Sequence, residues 1–254
     1  MTTKDSEHRL QVARIDEHTV SVGFNTPQKR NALDQQAVDE IDGVLKAHST
    51  EPTILVFHST TPGMFVSGAD IRELRDRNAD DAMRAINAGA FNRIAAHRWP
   101  TIAAIDGYAL GGGCELALAC DFRIATPESI FGQPEPGLGI IAGAGANWRL
   151  RQLIGLPAAR RLLLLGEKLD ASQALELGLV DEVLSRDQLM ARAAEMSSRI
   201  ARNSWRAIEL TKLALRQNEP STTSLDIAAQ ALLFESEEKY ERMTTFLDRK
   251  GSGT

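Results

Sequence analysis

The sequence predicts an α/β protein with a buried sheet and a helical C-terminal layer, and three observations carry that expectation. Short apolar runs of strand character alternate with amphipathic stretches of helical period through the first half of the chain. Several of the helices that follow strands are led in by glycine-rich loops. Beyond about residue 143 the pattern turns almost wholly helical.

In chain order, residues 9–24 alternate as two short strands around the turn Asp16-Glu17-His18. Val38, Ile41 and Leu45 then recur at helical spacing, and Asp34 is suited to cap that helix, over residues 34–48. Residues 53–58, TILVFH, read as a buried strand ending in a Thr/Pro/Gly loop. A helix is expected over 81–97, where Met83, Ile86, Ala90 and Ile94 share a face. Thr101–Ile105 is an apolar strand bounded by Pro100 and the turn Asp106-Gly107, Gly112–Ala119 reads as a helix, and Phe122–Ala125 as a strand. Later come a short strand at 179–183 and amphipathic helices over 188–202, 204–217 and 224–247, with the ending RKGSGT expected to fray. A core over residues 1–200 and a helical layer over 201–254 follow, with no Pro, Gly or Ser-rich linker between them.

Composition narrows the class. Of 254 residues, 43% are hydrophobic and 25% charged, as in a soluble globular protein. No apolar run is long enough to cross a bilayer, and MTTKDSEHRL lacks the apolar core of a signal peptide, so neither a membrane partner nor export is expected. A cytoplasmic protein is expected, or one whose targeting segment lies outside this sequence. The net charge of −5 argues against a nucleic-acid partner. Cys114 and Cys120 have no metal-ligand or disulfide spacing and are expected to be buried thiols; the scattered histidines likewise suggest no metal.

Three stretches carry the chemistry. In GYALGGGCELALACD, residues 107–121, Glu115 stands in an otherwise apolar run, and a buried charge needs a reason. The glycines before it offer a helix start with open N–H groups and close approach for a ligand. In SIFGQPEPGLGIIAGAG, residues 129–145, Glu135 lies in a Pro/Gly loop ahead of another glycine-led helix. In MFVSGAD, residues 64–70, a tight glycine loop follows a buried strand and opens the helix DIRELRD. Taken singly, each fits ordinary turn chemistry or the solvent face of a helix as well as it fits a site.

Together, NTPQKRNAL, MFVSGADI, PTIAAIDGYALGGGCELALACDFRIA, FGQPEPGLGI and LLLLGEKLDASQALELGLVDEV resemble the crotonase (enoyl-CoA hydratase/isomerase) superfamily, from about residue 10 to the C-terminus. The resemblance implies a spiral of ββα turns, with C-terminal helices making a homotrimer or a dimer of trimers. It implies an acyl-CoA substrate, with coenzyme A entering as the thioester and no separate cofactor or metal. By likeness, the N–H groups of Ala69 and Gly112 form an oxyanion hole, and Glu115 and Glu135 are the two glutamates that hold a catalytic water in enoyl-CoA hydratases. Gly143 matches a helix-start glycine whose amide steadies the second glutamate. Lys29, Arg30 and Ala32 fall where the family contacts the adenine and phosphates; for the two cations a solvated surface role stands nearly level. Gly68, Asp70, Ile71 and Gly111 are the further expected substrate contacts. Both glutamates being present favours reversible hydration of a 2-enoyl-CoA over an isomerase or a non-catalytic acyl-CoA binder.

The likeness has departures. GIIAGAGANWRL stands where the family usually reads GIIPGAGGTQRL, so Ala142 replaces a proline and Ala146-Asn147-Trp148 replace Gly-Thr-Gln. Pro136-Gly137 also follows Glu135 where bulkier residues are usual. A looser helix start is expected from Ala142, and a packing role for Trp148. GLGIIAG mimics a dinucleotide fingerprint but lacks the preceding strand and acidic partner. There is no G-x-S-x-G elbow or P-loop. Acyl length, branching and pathway stay open.

Overall fold

A computed structural model describes residues 8–216 and residue 237. The chain divides at Ser197/Ser198 into two compact units.

The first unit opens with β1 (Leu10–Arg14) and β2 (Thr19–Phe24), an antiparallel hairpin with Leu10 opposite Phe24. After a 3-10 turn at Pro27–Lys29 comes α1 (Gln35–Ala47), where Asp34 accepts from the Ala37 N–H at 3.0 Å and Val38, Ile41 and Leu45 are buried. Then follow β3 (Ile54–Ser59), β4 (Met64–Val66), α2 (Ile71–Asp76), α3 (Ala79–Met83) and α4 (Ile86–Ala96). The next turn is β5 (Thr101–Ile105), β6 (Tyr108–Leu110) and α5 (Gly112–Ala119), and after it β7 (Phe122–Ala125) and β8 (Ile130–Gly132). A 3-10 turn at Glu135–Leu138 leads to α6 (Ala146–Leu165), β9 (Lys168–Asp170), α7 (Ala171–Glu176), β10 (Glu182–Val183) and α8 (Arg186–Ala201). Of the second unit, the described part includes α9 (Trp205–Leu215), capped by Ser204.

The strands form a six-stranded sheet, β1-β2-β3-β5-β7-β10, and a four-stranded sheet, β4-β6-β8-β9. From β2 to β10 the larger sheet is parallel, so its central strands are covered on both faces and read as unbroken apolar runs. Each strand pair, β3/β4, β5/β6 and β7/β8, sends its first strand into the larger sheet and its second into the smaller one. One strand is thus added to each sheet per turn, which is the expected ββα spiral. The helix α5 is buried along its whole length, Glu115 included.

Several sequence expectations change. The helix expected over 81–97 breaks at Arg84-Ala85, where Ala85 adopts φ +51, so α3 and α4 are separate. The strands β4, β6, β8 and β9 were not expected, and the strand expected at 179–183 narrows to β10. Gly155, at φ 75 and ψ 163, kinks α6. The expected helix over 224–247, Glu237 apart, and the RKGSGT ending lie outside the described residues. Cys114 and Cys120 are buried as expected. Among the described residues, no helix is long and apolar enough to cross a membrane, and no cluster of His, Cys, Asp and Glu suits a metal ion.

Candidate active site

The three glycine-bearing segments converge on a cavity of about 570 Å³. Of the residues singled out in the sequence, Gly68, Ala69, Ile71, Gly111, Gly112, Glu115, Glu135 and Gly143 line it. Lys29, Arg30, Ala32 and Asp70 do not. The Asp70 carboxylate instead caps α2, accepting from the N–H groups of Arg72 (2.8 Å) and Glu73 (3.4 Å), because a helix start leaves those donors unmet. Lys29 reaches Asp34 Oδ2 at 3.3 Å and is 41% exposed.

Loop 26–33 is nonetheless wired to the cavity wall. Ser67 N donates to Arg30 O (3.2 Å), Leu33 N to Gly68 O (2.8 Å) and Asp70 N to Leu33 O (3.0 Å). Asn31 secures the loop from within. Buried at φ 52, it accepts from Thr26 N (2.8 Å), and its Nδ2 donates to Ser59 Oγ, Met64 O and Phe65 O.

These bonds aim two donors. The peptide joining Gly68 to Ala69 is planar and trans, so engaging its carbonyl with Leu33 turns the Ala69 N–H the opposite way. On the other wall the Gly111 carbonyl accepts from Glu115 N at 2.9 Å, which directs the Gly112 N–H out of the start of α5. Among the described residues, neither N–H has a partner. A methyl group on Gly112 would lie 3.4 Å from Ala69 N, so the two donors are neighbours. Gly111 must be glycine: it holds φ +51, and a Cβ there would come within 2.6 Å of Glu135 Oε1.

The carboxyl groups have unlike surroundings. Glu115 is 3% exposed, and its Oε1 accepts from Ala144 N (2.7 Å) and Ala146 N (3.1 Å) at the start of α6. Burial raises its pKa; those amides and the Arg149 charge pull the other way. Glu135 is also buried, but its Oε2 has no partner among the described residues. Burial, and secondarily the Glu115 charge, raise its pKa to about 7, against its own backbone N–H. The expected bond from Gly143 to Glu135 is therefore not formed: Gly143 lines the cavity, while the amides just after it serve Glu115. Burial pushes the Cys114 thiol up to about 12, which keeps it protonated.

This is two N–H donors and two carboxyl groups around one cavity. The sequence over residues 14–252 matches the family model described as enoyl-CoA hydratase/isomerase. The chain belongs to that family. It is 35% identical to the short-chain-enoyl-CoA hydratase of Clostridium acetobutylicum, covering 90% of this chain and 91% of that one. To the crotonyl-CoA hydratase of Syntrophomonas wolfei it is 37% identical, over 89% and 90%. Among solved structures, the enoyl-CoA hydratase from Bacillus anthracis superposes with a TM-score of 0.89 at 29% identity, over 95% and 96%. DspI from Pseudomonas aeruginosa does so with a TM-score of 0.90 at 29%, over 98% and 97%.

Within this enoyl-CoA hydratase/isomerase chain, the departures near Glu135 partly answer one another. Asn147 Nδ2 donates to Ala142 O at 2.9 Å, tying down the segment that lacks the usual proline. Trp148 does not line the cavity; it is 46% exposed with the Arg149 guanidinium 4.2 Å from its ring centroid. Sequence reasoning missed Arg149, which is buried and donates to Ala144 O (3.1 Å) and Asn92 Oδ1 (2.8 Å) behind the Glu115 amides. It also missed Asn31 and the cavity-lining Asn87. For Arg149, the local signal was an arginine one turn into a glycine-led helix.

Proposed function

We propose that this chain is an enoyl-CoA hydratase, adding water reversibly to a 2-enoyl-CoA to give a 3-hydroxyacyl-CoA. One observation carries the reading: two buried carboxyl groups in unlike surroundings beside a pair of unpartnered N–H donors. The thioester oxygen accepts from Ala69 and Gly112, which stabilises the enolate charge without reorganisation at the moment of reaction. Glu115, whose buried carboxyl accepts from two amides in front of Arg149, takes a proton from water as the water oxygen bonds to C3. The electron pair of the C2–C3 double bond moves towards the thioester oxygen. Glu135, held near neutrality, gives its proton to C2 as the carbonyl re-forms. Exchange with solvent restores both groups.

Coenzyme A enters in this reading as part of the substrate, with no separate cofactor, and family likeness supports Lys29 and Arg30 as contacts for its phosphates. A homotrimer or dimer of trimers built by residues 201–254, and a cytoplasmic location, belong to the same reading. The first is supported by the family likeness, the second by two buried thiols suited to a reducing compartment.

The test is loss of enoyl-thioester ultraviolet absorbance with crotonyl-CoA and longer enoyl-CoAs. The wild type is expected to turn over, and E115Q and E135Q to lose about 10²–10⁴-fold each. No hydration at any chain length, from folded protein that binds acyl-CoA, would sink the assignment and favour an isomerase or a binder.

A further inference from the structure

We propose that Asn87 is a third donor at the oxyanion site, its side-chain amide joining the Ala69 and Gly112 N–H groups on the thioester oxygen. The inference rests on the acyl-CoA reading of this cavity.

Asn87 lies in the first turn of α4 and lines the cavity. Its carboxamide makes no hydrogen bond to the described residues, and its Oδ1 is buried without a partner. An amide NH2 that the protein leaves unmatched on a cavity wall is available to an acceptor in the cavity. The placement identifies the ligand. The point that a methyl group on Gly112 would occupy lies 3.4 Å from Ala69 N and 3.7 Å from Asn87 Nδ2. The Ala69 and Asn87 nitrogens thus lie near one point beside Gly112, close to that residue's own N–H. An oxygen gaining negative charge is the group such a set of donors fits.

The backbone is bent to achieve this. A continuous helix through residues 81–97 is broken at Ala85, a non-glycine residue at φ 51 and ψ 43. Such a conformation persists where surrounding structure holds it and gathers at functional sites. Here it starts α4 afresh, with Asn87 on the cavity wall. The other polar groups on this side are already engaged. Asn78 caps α3, Asp81 accepts from Asn78 N and pairs with Arg84, and Arg77 pairs with Glu73.

Saturated butyryl-CoA cannot be hydrated, so the infrared carbonyl band of its ¹³C-labelled thioester reads hydrogen bonding alone. Wild type, N87L and N87A are compared, both variants removing the NH2 without adding a charge. Both variants are expected to show a smaller downshift of the bound carbonyl than wild type. Crotonyl-CoA hydration is expected to lose about 10–100-fold in kcat, with KM changed less than about threefold. A carbonyl band in N87L at the wild-type position, or a loss confined to KM, overturns the proposal. If N87L does not fold, N87A decides by the same band. Wild-type protein that shifts the butyryl-CoA carbonyl yet hydrates nothing would defeat the hydratase reading, while the band comparison still judges Asn87.

Discussion

At Glu135, burial and the nearby Glu115 charge hold the proton to about pH 7. If that proton goes to C2, hydration should decline as pH rises through about 7. Removing the neighbouring charge in E115Q should move the alkaline limb of the residual activity to lower pH, as a pH–rate profile would record. Stability follows with a definite sign. The folded pKa lies above the ordinary 4.5, so the folded state holds the proton more tightly. The associated stabilisation is present below about 4.5 and is lost as pH rises through about 7. Melting temperatures of E135Q should accordingly fall less than those of wild type between pH 5 and pH 8. Glu115 and Glu135 were legible because each is a charge among apolar neighbours. Asn31, Arg149 and Asn87 were not, because their surroundings come from elsewhere in the chain. Ser59, Met64 and Phe65 meet Asn31, Asn92 meets Arg149, and Gly112 faces Asn87.

Among the elements, the break between α3 and α4 is the least expected. Period alone argued for one helix, since Met83, Ile86, Ala90 and Ile94 keep their spacing across it. Backbone strain at Ala85 is a cost that glycine relieves, so A85G should raise stability by about 0.5–1 kcal/mol despite its greater freedom when unfolded. Chemical denaturation would measure it; a destabilisation of that size would mean that Ala85 is not strained. The central strands of the larger sheet were readable because parallel strands covered on both faces are continuously apolar. Those of the smaller sheet were not, since β4, β6, β8 and β9 span three residues each, too few to display a period. Asn147 shows the same limit for a loop. Its substitution reads as a loss until its bond to Ala142 O is seen, and N147L should loosen the start of α6 and lower kcat more than it weakens acyl-CoA binding.

For the whole molecule, the family likeness implies self-association. In sedimentation, the full chain is expected at three or six times its 27.7 kDa. The net charge of −5 is unfavourable for a polyanionic substrate, so attraction must be local. The local cations, Lys29 and Arg30, stand on the loop whose Leu33 N–H grips the Gly68 carbonyl and so aims Ala69. A grip on the distant nucleotide end of a substrate would therefore steady the very peptide that polarises its carbonyl. Affinity spent far from the reacting carbons would be returned as rate. A thioester trimmed to its pantetheine arm should then suffer in kcat, and not merely in KM, although every atom of its reacting end is intact.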